Sequence, residues 1–322
     1  MRYVLYLVIL VGIVYGAISV FSGDDAPGPL AANGDSREGE VREDAGEPAA
    51  RPEAGAAAEG APRERVSIEQ LLKDAEAALK RSRTADTRAR AQQEMDSARR
   101  GFSEAYLRLA PEGGGDELRK RVDELNEILL DSEEILPGKS VLYSFKANDR
   151  LWTLCHKRFP EQFKVRVEPG FLLWLNGVSD ARRIREGQVF KVPLEELTLL
   201  VSKRSHKLWV LLGGVYLREF PVGLGQDDKT PEGVFEIETK IEKPSWYFDG
   251  RKIPYGDPRN PLGTHWMGFV RTRRATGYGI HGTDAPDTVG RSVSQGCVRM
   301  QNADVAELFS WVPRGTKVTI RR

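Results

Sequence analysis

His281 and Cys297 are the residue types from which a thiol nucleophile and its base are made, and both fall in one short stretch, Tyr278 to Met300. A thiol attacks well only as thiolate, and the usual route is a histidine close in space rather than in sequence. Tyr278-Gly279-Ile280-His281 reads as a strand in which His281 and Gly279 share a face, leaving bare backbone beside the imidazole where a substrate could lie, while Ile280 turns to the core. Ser294-Gln295-Gly296-Cys297 reads as a tight turn whose Gly296 and Cys297 amides could bind a developing oxyanion, with Ser294 organising the turn by hydrogen bonding. Arg299 returns to the face of Cys297, where its guanidinium fork suits either a substrate carboxylate or a bracing ion pair. Asp284 and Asp287 lie in the intervening loop and offer a third member for a triad. Cys155 sits in the apolar helical run Leu151 to Phe159 and reads as core. His156, His206, His265 and His281 are scattered without zinc spacing, so neither a metal nor another cofactor is expected.

The elements that must position these residues are mostly strands. Thr198 to Ser202, Lys207 to Leu212, Val215 to Phe220 and Thr230 to Thr239 are β-rich runs broken by polar turns. Asp304 and Glu307 form a capping-box-like start to a helix carrying Val305, Leu308, Phe309 and Val312, which Pro313 ends before a last strand, Thr316 to Ile320. Residues 197–322 are thus expected to form a mostly β domain, a sandwich or barrel with one packed helix. Trp246, Tyr247 and Trp266 bring aromatic surface near the site, although aromatics in a small β-domain more often fill the core.

The 322 residues have room for several domains, and a net charge of +1 with 30% charged residues gives no polyelectrolyte signal, so nucleic acid is not an expected partner. From Tyr3 to Phe21 the chain is uncharged and apolar, which predicts over 1–22 either a transmembrane anchor or a signal peptide; both readings place the body outside the membrane. Residues 23–66, rich in Ala, Gly, Pro and Glu, predict a disordered linker. Over 67–137, Ser67 and Gln70 form a capping box ahead of Ile68, Leu71, Leu72, Ala75 and Leu79. Two further patterns follow, through Met95, Ala98, Phe102, Tyr106 and Leu109 and through Leu118, Val122, Leu125 and Leu129. These predict an α-helical segment that buries its own stripes as a small bundle, serving as a partner surface or as a spacer. Residues 139–194 read strand, helix, helix, strand.

The chemistry-bearing stretch resembles the signature of the YkuD-type L,D-transpeptidases: His281-Gly282, a spacer, then Ser294-x-Gly296-Cys297-x-Arg299. Thr230-Pro-Glu-Gly-Val-Phe235 and Asn260-Pro-Leu-Gly263 extend the likeness, and Gln295 departs from it where many members carry His. The resemblance implies a mostly β fold in which Cys297 forms a thioester with a peptidoglycan tetrapeptide stem at its terminal D-alanine. His281 would serve as base, oriented by the backbone carbonyl of Gly282 rather than by an Asp. A second stem's amine would resolve the thioester to a cross-link, or water would give carboxypeptidase activity. Arg299, Tyr278 and Trp266 form the candidate substrate-binding set. The βααβ region resembles a LysM module through Asp149-x-Leu151-Trp152, Leu175-Asn176 and Gly187 to Pro193, with Asn148-Asp149-Arg150-Leu151 where that family has Gly-Asp-Thr-Leu. This likeness implies glycan strands as partners, while the apolar run Tyr3 to Phe21 predicts a cell-envelope location with the body on the external side of the membrane. A non-catalytic wall-binding scaffold built on the module and the helices is the competing reading.

Overall fold

The structure, a computed structural model, describes residues 66–131, 139–272 and 276–322. The expected anchor over 1–22 and all but the last residue of the expected linker lie outside them. Among the described residues, no helix is long and apolar enough to cross a membrane.

Three helices open the described chain: α1 (Ile68–Arg83), α2 (Arg88–Leu109) and α3 (Asp116–Asp131). Ser67 caps α1 by accepting from the Gln70 amide, while the Gln70 side chain turns forward to Asp74 instead of closing the reciprocal half of the box. The βααβ region follows with β1 (Ser140–Ser144), a helical run through α4 (Leu151–Thr153), a π turn (Leu154–Arg158) and α5 (Phe159–Phe163), then α6 (Pro169–Leu175) and β2 (Val189–Pro193). The two strands pair antiparallel, with Ser140 opposite Pro193 and Ser144 opposite Val189. Asp149 is an internal staple, accepting from the Tyr143 hydroxyl at 2.6 Å, the Lys146 amide at 2.9 Å and Arg158 at 2.9 Å.

The remaining strands are β3 (Leu197–Ser202), β4 (Lys207–Leu212), β5 (Val215–Pro221), β6 (Leu224–Gly225), β7 (Gly233–Glu242), β8 (Trp246–Phe248), β9 (Arg251–Ile253), β10 (His265–Phe269), β11 (Gly279–His281), β12 (Ser292–Ser294) and β13 (Val298–Arg299). The helix α7 (Asn302–Trp311) and β14 (Lys317–Arg321) close the chain. Eight of the strands make one mixed sheet in the order β13-β11-β10-β7-β14-β3-β4-β5. The start of α7 corrects one expectation: no side chain caps it, and Asp304 lies inside its first turn.

The sheet is covered on both faces where it is widest. Leu199, Val201, Leu208 and Val210 join a core with Val305, Leu308 and Trp311 of α7 and with the βααβ region. Leu200, Trp209, Leu211 and Tyr216 face the other way and are buried with Phe102, Tyr106 and Val122 of α2 and α3. The helices therefore form an outer layer on the β-domain rather than a bundle closed on itself. They also protect the sheet's edge: the Tyr216 amide of β5 donates to Ser103 Oγ at 2.7 Å and its carbonyl accepts from Asn126 Nδ2 at 3.0 Å. Pairing those groups removes an open template for strand addition.

Candidate active site

The candidate base, His281, and the strand after the candidate nucleophile, Cys297, are neighbours in the sheet. β11 and β13 run parallel, with Ile280 opposite Val298 and His281 opposite Arg299. On its other side Arg299 bridges Gly223, each amide donating to the other's carbonyl at 2.8 Å. Ile280 and Val298 are fully buried and anchor both segments in the core.

Cys297 enters from the turn before β13, which Ser294 builds. The buried Ser294 hydroxyl accepts from the Gly296 amide at 3.1 Å and donates to the Cys297 carbonyl at 2.8 Å. This corrects the expectation that Gly296 supplies an oxyanion donor, because its N–H is already engaged by Ser294. Gly296 is required for another reason: φ is +132°, and a Cβ there would lie 2.3 Å from the Tyr278 ring. Tyr278 thus packs against the turn as well as lining the site. The half-buried thiol of Cys297 lies 3.7 Å from the Gly277 carbonyl. Cys155 is a different kind of thiol: it is buried, and burial, then Glu168, push it up to about 12.

His281 is 3% exposed, and its Nδ1 lies 2.5 Å from the Gly282 carbonyl. A carbonyl can only accept, so hydrogen-bond chemistry assigns the proton to Nδ1 and leaves Nε2 with a lone pair. The place a triad carboxylate would take is filled, and neither Asp284 nor Asp287 is bonded to the ring. Burial pushes the imidazole down from 6.5 to about 4, against the Gly282 and Leu262 carbonyls and with help from Arg299. The ring is therefore a neutral base at ordinary pH.

A pH prediction follows from the same shift. Between about pH 6.5 and 4 the unfolded chain binds a proton at His281 that the folded chain refuses, so stability is full above this window and falls as the pH drops through it. The loss amounts to at most roughly 3 kcal/mol. His281→Gln should lose less stability than the wild type between pH 7 and 4.5 in urea titrations. Equal losses in the two proteins would contradict the assignment.

A cavity of 370 Å³ is lined by His281, Cys297, Arg299, Trp266, Tyr278 and the Trp246–Tyr247 strand, among others. The Trp266 ring stacks on His281, with centroids 5.7 Å apart and planes at 26°. The space left by Gly279 is not open, which corrects the expectation of substrate room there. A Cβ on Gly279 would sit 3.0 Å from the Trp266 ring and 2.5 Å from the Met267 carbonyl. The open space lies instead on the cavity side of Cys297. Arg299 stands at that side without an ion pair to any described residue, and its buried Nε has no hydrogen-bond partner. The bracing-pair role is thus unfilled, while the geometry suits an incoming carboxylate. Among the described residues, no His, Cys, Asp and Glu cluster could hold a metal ion.

Three supporting residues were not assigned roles from sequence. Asn302 Oδ1 accepts from the amides of Thr264 at 3.1 Å and Thr283 at 3.3 Å, and its Nδ2 donates to the Thr283 carbonyl at 2.9 Å. A Cβ on Gly263 or Gly282 would lie 2.3 or 2.2 Å from that oxygen, so Asn302 fixes the backbone whose carbonyl holds His281. Asn260 Oδ1 accepts from the Leu262 amide at 3.0 Å, setting the second carbonyl that faces the imidazole. Thr230 Oγ1 accepts from the Gly225 amide at 2.7 Å, and Gly225 backs directly onto Gly296. The Thr230 and Asn260 motifs were visible in the sequence as motifs. Asn302 carried no signal beyond standing at a helix start.

Comparison with known proteins places this arrangement in a family. The family model of the YkuD L,D-transpeptidase catalytic domain matches residues 196–320. The chain is 35% identical over 184 residues to YkuD of Bacillus licheniformis, covering 56% of this chain and 98% of that protein. It is 42% identical over 124 residues to YqjB of Bacillus subtilis, covering 38% of this chain and 69% of that protein. Both relatives carry the description L,D-transpeptidase. Among solved structures, the catalytic domain of the E. faecium L,D-transpeptidase aligns at 25% identity over 39% of this chain and 97% of that one, with a TM-score of 0.32. The chain belongs to the YkuD family of L,D-transpeptidases.

Proposed function

We propose that the protein is a peptidoglycan L,D-transpeptidase that transfers an acyl group through a thioester on Cys297. The observation that carries this reading is a buried His281 with Nδ1 held by the Gly282 carbonyl, in one cavity with the only thiol among the described residues that is not sealed in the core. His281 Nε2 takes the thiol proton as sulfur attacks the amide carbon between the third residue of a tetrapeptide stem and its terminal D-alanine. The C–S bond forms, the C–N bond breaks, and the imidazolium returns the proton to the departing amine. A second stem's amine then attacks the thioester, giving up its proton through His281 to the leaving sulfur. Water in that place yields carboxypeptidase activity.

Arg299 holds the donor's carboxylate. Its alanine variant should lose about 1.5–3 kcal/mol of donor transfer, on the order of a 10- to 100-fold fall in kcat/KM, while iodoacetamide alkylation of Cys297 and the melting temperature stay near wild type. Mass spectrometry of products formed from tetrapeptide-stem muropeptides tests the activity itself: cross-linked dimers or tripeptide stems are expected, and unchanged stems would refute the reading.

The βααβ module acts as a LysM-like wall adhesin, supported by its strand pairing and by the Asp149, Asn176 and Gly187 to Pro193 marks. Export of the body to the envelope, tethered or released, is supported by the apolar run Tyr3 to Phe21.

A further inference from the structure

Between the βααβ module and the β-domain lies a groove of 590 Å³, within the size range of ligand sites. Phe309 and Pro313 give its lining apolar surface, and Trp152 lines it too. This indole is 59% exposed although it stacks on His156, with centroids 4.7 Å apart and planes at 19°. One face is therefore backed and the other is open.

The backing is built. His156 Nδ1 lies 3.0 Å from the Trp152 carbonyl and Nε2 lies 3.3 Å from Glu168. Glu168 also pairs at 3.1 Å with Lys240, which is only 9% exposed and sits 4.5 Å over the Phe309 ring. The single carboxylate lining the groove is thus already shared by two basic groups. Arg166 and Arg314 line the same groove and form no ion pair with any described residue. The Arg166 guanidinium lies over Gly315, where a Cβ would meet it at 2.4 Å; Glu236, just beyond that glycine, does not pair with it.

An open aromatic face beside two unpaired guanidinium groups fits a ligand with a flat apolar face and an anionic substituent. We propose that this groove binds a saccharide bearing a carboxylate or phosphate, its pyranose C–H face on Trp152 and its anion on Arg166 and Arg314. The choice of a saccharide over a nucleotide rests on the wall polymer proposed above as substrate; the demand for an anion with a flat face rests on the groove alone. The site shares no lining residue with the cleft between the loops around Asn148 and Arg182 of the same module.

The test is direct binding by calorimetry with the full chain, so that it reads the groove and not acyl transfer. The probes are the stem-free peptidoglycan disaccharide with its lactyl carboxylate, a hexosamine phosphate, a neutral N-acetylglucosamine oligomer and a mononucleotide. One of the two anionic sugars should bind best, and which one identifies the anion's source. Trp152→Ala and Arg314→Ala should each weaken that binding at least 10-fold, Trp152→Phe should retain most of it, and acylation of Cys297 should not change. Equal binding of the neutral oligomer, tighter binding of the mononucleotide, or loss on Arg182→Ala with Trp152→Ala unaffected would each overturn the proposal. Binding as expected in a protein that yields neither cross-linked dimers nor tripeptide stems would sink the reaction and leave the groove standing.

Discussion

Replacing Cys297 by alanine is expected to abolish acyl transfer and the covalent acyl-enzyme while leaving thermal unfolding almost unchanged. The thiol is half-buried at a cavity wall, and the contacts that hold its turn pass through other atoms: Ser294 Oγ to the Gly296 amide and the Cys297 carbonyl, and the Tyr278 ring over Gly296. Loss of one sulfur at such a position should cost no more than about 0.5–1 kcal/mol. Cys297→Ser should be nearly as inactive, because a hydroxyl is far harder to deprotonate than a thiol and a buried imidazole pushed down to about 4 is a weak base. Cys155→Ala makes the contrast, since that thiol is sealed in the core and its removal should lower stability and leave transfer intact. Acyl-enzyme mass and melting curves on the three variants decide the matter. Parallel loss of melting temperature and activity in Cys297→Ala would mean that the residue is structural.

The candidate nucleophile and base were legible because their chemistry is carried by residue types within one short stretch, where strand and turn patterns are local. The engagement of Gly296 by Ser294 was not, because it depends on which way one amide points inside a turn. Asn302 was hidden for a different reason. Its role exists only once Gly263 and Gly282, far apart in the chain, are brought against its side-chain oxygen. The outer helical layer did leave a trace. Leu208 to Leu212 is apolar without alternation, which is the pattern of a strand buried on both faces, whereas a one-sided sheet would alternate. Nothing local marks Asp96, Arg99 and Arg100 of α2, residue types that are mostly exposed, as the buried or half-buried cluster they form.

That cluster gives the second large effect. Asp96 accepts from Arg99 at 2.7 Å and Arg100 at 3.0 Å and also pairs with Lys139; Arg99 reaches Asn126 at 3.0 Å, and Arg100 reaches the Gly213 carbonyl at 3.0 Å and Glu195 at 2.6 Å. Through Arg99 and Arg100 this carboxylate thus links α2 to α3, to the turn between β4 and β5 and to the segment before β3, and Lys139 ties it to the segment before β1. Burial alone would raise its pKa, but Arg99, then Lys139 and Arg100, outweigh burial and hold it below the ordinary carboxylate range. Asp96→Ala leaves the Arg99 guanidinium, 2% exposed, without its counter-charge, a situation that costs about 3–5 kcal/mol. For a cooperative unit of this size the melting temperature should fall by something on the order of 10 °C. The site lies at the opposite edge of the sheet, where β11 and β13 are separated from β4 and β5 by β10, β7, β14 and β3. At a temperature where the variant is still folded, its rate of Cys297 acylation should therefore match the wild type. A small stability loss would show that water screens the cluster, and a lost rate at full folding would show that the helical layer tunes the catalytic edge as well as bracing the sheet.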